Sequence, residues 1–536
     1  MRRLLVLFFG LGVATLASGD ILNLEDPLYR QLDTWQVRAM ISPLPSFRPF
    51  SVQLVLARLD ELENCPEATA EDHQLAQSWR KDLTESIHFE AEVSTWVLGS
   101  SVAAVPHGSF ITTHLVDANL STVAAMDVRA ADTATAALAV PGSGAPYDYT
   151  PDDGHVVVGG RTWNLWRDPR GEAAVGGAGG TGFSAQLGFS RNSFGPISDD
   201  GLIVGSTSPD TGHLGVNYQG NGVQYLQYML VLASRYNNGV SGRSDKYLYY
   251  HEIIGTPIPQ LDLSFFESVI GGGSLNLLYF LPMSIYFNSQ GLSNYGDNSF
   301  MGLSAVWRFQ PGWRAAGVLY MDDLQFNDMA ALQLNTKWKV AFQGELQYAG
   351  GPGSSPWMPL MTTSYTAIMP YTYTHMNSLG DLGPNYEVYT NGDSLLGSAL
   401  QPNSDRLRFK AVWHSADATV TLQRHGNAST GIIPGGDGTI NDPGWLNGTP
   451  TFQRPFVDPT GQPYTRFLTQ SVIETRLQAG ASWNGSWEPS FASLFGQPLA
   501  ATWGASLTGE LVWNDALVSG VFASHLYATI HVGSRW

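Results

Sequence analysis

The chain is short of charge, of basic residues and of cysteine. Of its 536 residues only 14% are charged, against about a quarter in typical globular domains. Lys and Arg number 28 against 46 Asp and Glu, for a net charge of −18. No basic excess is there to displace counterions from a phosphate backbone, so no nucleic-acid partner is expected. The single cysteine, Cys65, cannot form an internal disulfide. Past the N-terminus no apolar run reaches the roughly 20 residues that a transmembrane helix needs. Catalytic signatures are missing as well. No G-x-S-x-G elbow occurs. His251-Glu252 begins like a zinc-protease motif, but Gly255 stands where the second histidine belongs. "GAGGTG" at 177–182 precedes a strand-like run, not a helix, and reads as a glycine-rich loop. The 12 histidines are scattered without ligand spacing. Asp437, Asn441 and Asp442 lack the ordered oxygen ligands of an EF-hand, and turn chemistry accounts for them. No cofactor, no metal and no enzymatic activity are expected.

Glycine, aromatics and strict alternation are what the chain has in quantity. It opens with Met1-Arg2-Arg3, a short apolar run and the small residues Ala17-Ser18-Gly19. That order is expected of a cleavable secretory signal over residues 1–19, and hence of export. Residues 20–88 carry the period of helices. Asp26 and Pro27 start one, with Leu28, Leu32 and Trp35 on a face. Ser51 caps a second, with Val52, Val55, Leu56, Leu59 and Leu62 aligned; Leu75, Trp79 and Leu83 mark a third. The expectation is a small helical periplasmic or plug domain.

From residue 89 to 536 the period becomes two. Val340, Phe342 and Leu346 alternate with Lys337, Lys339, Gln343 and Glu345. Leu407, Phe409 and Ala411 alternate with Arg406, Arg408 and Lys410. Met301, Leu303, Trp307 and Phe309 share a face, as do Trp313, Leu319 and Met321, with Arg308, Arg314 and Asp322 opposite. Glu474 and Arg476 likewise oppose Ile473 and Leu477. A soluble sandwich would put the apolar face inside, whereas a transmembrane barrel turns it to lipid and lines its lumen with the polar face. Aromatics near the ends of the apolar faces and the export signal favour the barrel. So does the last segment, "LYATIHVGSRW", an alternating strand that ends on Trp536. A closing strand with a terminal aromatic resembles the signal read by the barrel-insertion machinery. The fold class is therefore an all-β transmembrane barrel of 16–20 antiparallel strands, an even number filling the roughly 440 residues left after the helices. Its outer face would meet outer-membrane lipids.

Several stretches carry a further likeness. "RNSFGPISDDGL" (191–202) is followed by "FFESVIGGGSLNLLYFLPMSIYF", by "YGDNSFMGLSAVWRFQPGWRAAGVLYMDD" and by "HMNSLGDLGPNYEVYTNGDSLLG". Their order, with the N-terminal "DPLYRQLDTWQVRAMI...FRPFSVQLVLARL", resembles the capsule assembly Wzi family of outer-membrane proteins. The resemblance implies about 18 strands, a helical domain on the periplasmic side, and a non-enzymatic lectin that holds capsular polysaccharide at the cell surface. Arg191, Phe194, Gly195, Pro196, Glu267, Asp297, Asn298, Asp322 and Asp323 are the positions that match. The Gly- and Ala-rich stretch from Ser100 to Gly182 departs from the pattern. Candidate ligand-binding residues are then Arg191, Glu267, Asp297, Asn298, Asp322 and Asp323, joined by the inward-facing Arg308, Arg406 and Arg408. Carboxylates and amides would bond sugar hydroxyls, and the arginines would meet acidic sugars. The expected function is attachment or assembly of surface polysaccharide at the outer membrane. The alternative is a porin-like channel for small solutes, partly plugged by the helices.

Overall fold

The computed structural model describes residues 22, 24, 26–84, 87–102, 105–120, 125–136, 156–158, 161–176, 182–197, 199–220, 222–236, 245–282, 284–286, 288–289, 297–323, 339–355, 357–370, 372–375, 384–392, 394–426, 467–468, 471–487, 493–494, 497–498 and 500–535. Three helices come first: α1 (Leu28–Val37), α2 (Val52–Glu63) and α3 (Ala70–Thr84). Each start has a side-chain acceptor for an orphan backbone N–H. Asp26 accepts from Leu28 N at 2.8 Å, and Ser51 from Leu54 N at 3.3 Å. Thr69 and Asp72 bond one another's backbone N–H at 3.1 and 3.2 Å, a reciprocal cap three residues apart. The apolar faces meet in one core around Leu28, Leu32, Trp35, Val55, Leu59 and Leu62. Trp35 donates its indole N–H to Asp72 at 2.9 Å and ties α1 to α3.

Among the described residues nineteen strands then close into one antiparallel barrel, all of them long except the three-residue Val156–Val158. In chain order the 18 long strands begin with β1 (Ile87–Val102), β2 (Val105–Leu120), β3 (Ala125–Ala136), β4 (Arg161–Gly176), β5 (Gly182–Ser190) and β6 (Thr211–Gly220). Next come β7 (Val223–Leu232), β8 (Lys246–Ile258), β9 (Leu261–Gly272), β10 (Asn298–Gln310), β11 (Trp313–Asp323) and β12 (Lys339–Tyr348). The wall ends with β13 (Leu360–Ile368), β14 (Ser404–Val412), β15 (Ala416–Gly426), β16 (Ile473–Trp487), β17 (Ala500–Trp513) and β18 (Phe522–Arg535). Every strand pairs with its sequence neighbour, and β18 also pairs with β1 from Glu90↔Arg535 to Ser101↔Ser524. Closure joins the first and last of the described strands, the condition for a sheet in lipid. The expected closing strand is thus present, while Trp536 lies outside the described residues.

Alternation sorts the side chains as a membrane barrel requires. Leu303, Trp307, Phe342, Phe409, Trp483, Leu507 and Ile530 stand exposed on the outside. Arg314, Glu345, Gln343 and Arg406, one residue out of phase, are buried inside. Lys337 lies outside the described residues, as do 177–181 of the glycine-rich loop and Asp437, Asn441 and Asp442. Two ends differ in their connections. Strand pairs β6/β7, β8/β9, β10/β11 and β14/β15 are joined by tight turns at one end, while 191–210, 273–297 and 369–403 leave the other.

The helices dock on the short-turn end. Val37 O accepts from Gly312 N at 2.8 Å in the β10/β11 turn. The Arg38 guanidinium donates to Ala349 O, Ser355 O and Met358 O at 3.0, 3.2 and 3.0 Å. Gln31 meets His414 at 3.0 Å, and Arg30 meets Asp417 at 3.5 Å. The lumen beside β6–β14 is filled from the other end. The described parts of connections 191–210 and 369–403 fold inward, and Phe194, Ile197, Leu202, Ile203, Val388 and Leu396 pack with Tyr228, Tyr250 and Tyr320 of the wall. Inward-folded connections reach the helical layer itself, since Phe47–Arg48 pairs antiparallel with Ser193–Phe194.

Candidate functional site

Deep in the lumen, two adjacent carboxylates meet a basic stripe on β14. Alternation puts Arg406, Arg408 and Lys410 on the same inner face, two residues apart. Asp200 pairs with Arg406 and also accepts from Ser398 Oγ at 2.7 Å and Ala399 N at 2.6 Å. Both partners are buried, so the pair is largely dry. Asp199 meets Arg408 at 3.2 Å and Lys410 at 3.0 Å, its side chain 43% exposed. Partial desolvation would raise the Asp199 carboxyl. Lys410 and Arg408, with Arg406 behind them, override that and hold it well below the usual carboxylate range. Backbone carbonyls complete the clasp. Tyr373 donates to Leu202 O and Tyr389 to Ile203 O, each at 2.7 Å, and Gln343 donates to Asp200 O at 3.2 Å.

A second polar group gathers at the long-connection end of β8, β9 and β10. Tyr386 donates its hydroxyl to Asp245 at 2.9 Å, and Asn298 its amide to Glu387 O at 3.2 Å. His375 and Glu387 meet at 2.5 Å, with the histidine partly open to solvent. Asp297, beside Asn298, accepts from Tyr279 Oη at 2.9 Å. Burial pushes the Asp297 carboxyl up, against the Tyr279 hydrogen bond and with help from the Glu387 charge. Two glycines make this packing possible. A Cβ on Gly271 would collide with the Asp297 carboxylate, and one on Gly272 with the Tyr386 ring. Carboxylates, an amide, aromatic hydroxyls and an imidazole around one rim are the donors and acceptors that sugar hydroxyls require.

The short-turn end holds a polar cavity of about 60 Å³, lined by Arg48, Glu252, Asp262, Arg308, Arg314 and Glu345 among others. That is room for a few waters and far below the roughly 300 Å³ of a small-molecule site. A groove of about 310 Å³ runs between α1, α3 and the adjoining barrel turns, past Arg38, Asp72 and His414. Among the described residues no three His, Cys, Asp or Glu side chains are placed to hold a metal ion.

The residues singled out in the sequence fall into separate places. Arg406 and Arg408 lie in the inner clasp, and Asp297 and Asn298 at the rim. Asp322 is buried in the lumen 3.4 Å from Lys339, whose ammonium also donates to Thr374 O at 3.0 Å. Arg308 sits near the opposite end, 2.7 Å from Asp262. Arg191 follows β5 and opens the first inward connection. The side chain of Asp323 lies outside the described set. Glu267 is on the outer face of the wall, 3.0 Å from His251. Strand alternation does not point to Asp199, Asp200, Asp245, His375, Tyr386 and Glu387, which lie on connections or next to strand ends. Their signal was available: "GPISDDGLIVG" and "PNYEVYTNGDSLLGSAL" have turn residues but are too apolar for connections bathed in water.

A closed antiparallel barrel with an apolar outside, a charged lumen and a helical layer across one end defines the class: an outer-membrane β-barrel. No protein-family model and no curated protein sequence matches the chain. Among solved structures it is similar to Wzi of Escherichia coli, an outer-membrane protein involved in group 1 capsule assembly and a carbohydrate-binding β-barrel. The match covers 96% of this chain and 99% of that one, at 13% identity and a TM-score of 0.55. It is a likeness of fold. OccD3 and OprD of Pseudomonas aeruginosa match at TM-scores of 0.37 and 0.36, with 10% and 9% identity. They cover 83% and 84% of this chain and 91% and 94% of their own.

Proposed function

We propose that this protein is an exported outer-membrane barrel that binds surface polysaccharide at its long-connection end and holds it at the cell surface, without catalysing a reaction. The long-connection end would face outward and the helical layer the periplasm. One observation carries the reading: beside β6–β14 the lumen is filled, with the Asp200–Arg406 pair and the Tyr373 and Tyr389 hydrogen bonds anchoring its contents. Such a filled barrel is a rigid support for groups at its mouth, and preorganised polar groups lose little entropy on binding. The likeness to a carbohydrate-binding barrel over nearly the whole chain supports the same reading. Beside β6–β14, a channel for small solutes would need both inward connections to leave the lumen. In this reading Asp297, Asn298, Arg191 and Asp323 stand at the binding end. Arg406, Arg408 and Asp322 act from beneath as supports, and Arg308 and Glu267 lie apart from the mouth.

The test is binding of refolded full-length protein to an array of bacterial surface glycans. Replacing Asp297 by Asn or Tyr386 by Phe should each weaken retention about tenfold, the cost of about one lost hydrogen bond. Barrel content by circular dichroism should be unchanged. Correctly folded wild-type protein that retains no glycan would refute the proposal.

A further inference from the structure

The wall carries a polar patch on its lipid side. Tyr228, Tyr250 and Phe266 face the lumen, since Tyr228 and Tyr250 pack on Phe194 and Phe266 packs on Tyr320. Alternation therefore turns Gln227, His251 and Glu267 outward. Bare in hydrocarbon these groups would cost several kcal/mol each. They are nevertheless buried. What covers them is the described part of 273–289, which leaves β9 and runs back over the outside of the barrel. Tyr286 N donates to Glu267 at 3.1 Å, and the Tyr286 ring lies on His251 with centroids 4.1 Å apart. Gln227 donates to Tyr279 O at 3.2 Å, and Asn276 N donates to Tyr249 Oη at 2.9 Å. Tyr249, Val269, Tyr279 and Tyr286 form a small apolar core of their own between cover and wall.

We propose that this segment is a flap immersed in the membrane, its outer face in contact with lipid acyl chains. The inference rests on the barrel fold and is independent of the polysaccharide reading. Residues 273–289 contain no charged side chain. Leu275, Leu277, Leu278, Leu281 and Ile285 point away from the protein, Leu277 being 69% and Leu281 54% exposed. A row of aliphatics on a water-facing loop would be costly; against lipid it continues the apolar belt. The row of the wall on which the flap sits supports this. Leu187, Leu214, Met229, Tyr249 and Val269 are successive partners across β5–β9. The flap covers the last three, while Leu187 is 59% exposed on the open belt. Part of the flap's backbone is also provided for internally, as hydrocarbon demands. Leu278 N donates to Asn276 Oδ1 at 3.1 Å, Leu281 N to Leu278 O at 3.3 Å and Ser289 N to Ile285 O at 3.0 Å. Even the Ser289 hydroxyl turns back to Ile285 O, at 3.2 Å.

Single-cysteine variants Leu277→Cys and Leu281→Cys of the full-length protein, each with Cys65→Ser, test this once nitroxide-labelled in phosphatidylethanolamine–phosphatidylglycerol vesicles. Oxygen concentrates in hydrocarbon, and a nickel chelate stays in water. The ratio of oxygen to nickel accessibility should exceed several-fold that of Val518→Cys, which sits in the exposed β17/β18 connection. A ratio equal to that of Val518→Cys would overturn the proposal, and so would spin–spin broadening that reveals a second copy on this face. Native protein provides a second readout, with a phospholipid carrying a diazirine in its acyl chain. Adducts should fall within 275–285 and spare Tyr249, His251 and Val269. Adducts on those three wall residues would mean that no flap covers them.

Discussion

At the scale of single residues, the lumen is governed by where opposite charges are forced to share a dry space. Arg406 would be one more lumen-lining base, but Asp200 on the first inward connection reaches it from 206 positions away in the chain. Replacing Asp200 with Asn leaves a buried guanidinium without its counter-charge, a loss of about 3–5 kcal/mol where such pairs have been broken. Urea unfolding in lipid vesicles should register it. Asp199, half open to solvent, behaves differently. Its folded carboxyl binds a proton less readily than an unfolded one, so its contribution is present above the unfolded value of about 4 and is lost as the pH falls toward the folded value. The stability difference between wild type and Asp199→Asn should therefore be full near pH 6 and shrink on acidification toward about pH 2. A difference independent of pH would show that Lys410 and Arg408 do not act on it.

At the scale of elements, attachment of the helical layer depends on a few polar contacts. Arg38 follows α1 and satisfies three carbonyls of the β12/β13 connection, while the Gly312 amide reaches back to Val37. Arg38→Ala strands those carbonyls and removes the guanidinium that spans them, at a cost of about 2–3 kcal/mol. Residues 26–84 should then exchange amide hydrogens faster, with β10–β15 protection unchanged. Equal loss of protection in helices and barrel would argue that the two unfold as one unit. The ladder of the barrel itself is indifferent to this contact, because its hydrogen bonds run from strand to strand.

For the whole molecule, the helices and the inward connections obstruct the same lumen from opposite ends. Sequence patterning alone assigns the plug to the helices, and their removal would then be sufficient to open a channel. With 191–210 and 369–403 packed around Tyr228, Tyr250 and Tyr320, deletion of 26–84 should leave planar bilayers almost non-conducting. Adding Asp200→Asn and Arg406→Ala should bring fluctuating currents. Large steady channels from the helix deletion alone would show that the connections are not held in place. The legible part of the architecture follows from the same patterning. A period of two turns Arg308, Arg314, Glu345, Arg406 and Glu474 inward, where the structure has them. Ser51 was assigned as a cap and accepts its bond. Of the nine candidate ligand residues, Asn298 turns inward at the mouth, while Asp297 beside it bonds Tyr279 on the outer side and Glu267 goes to the outer face, because a pleat alternates without regard to family motifs.

By itself the sequence determined the class of fold, the sidedness of its strands and the helical character of residues 26–84. These are short-range properties: alternation and capping act over one to four residues, and a chain carries them in plain order. Tertiary structure alone decided which connections enter the lumen and which one lies against the outer wall. It also decided that most charged candidates are paired with residues outside the candidate set. Those outcomes rest on contacts such as Tyr373 to Leu202 and Tyr389 to Ile203, 171 and 186 residues apart. The path of a connection is set by the surface it can bury, and that surface exists only once the barrel has closed.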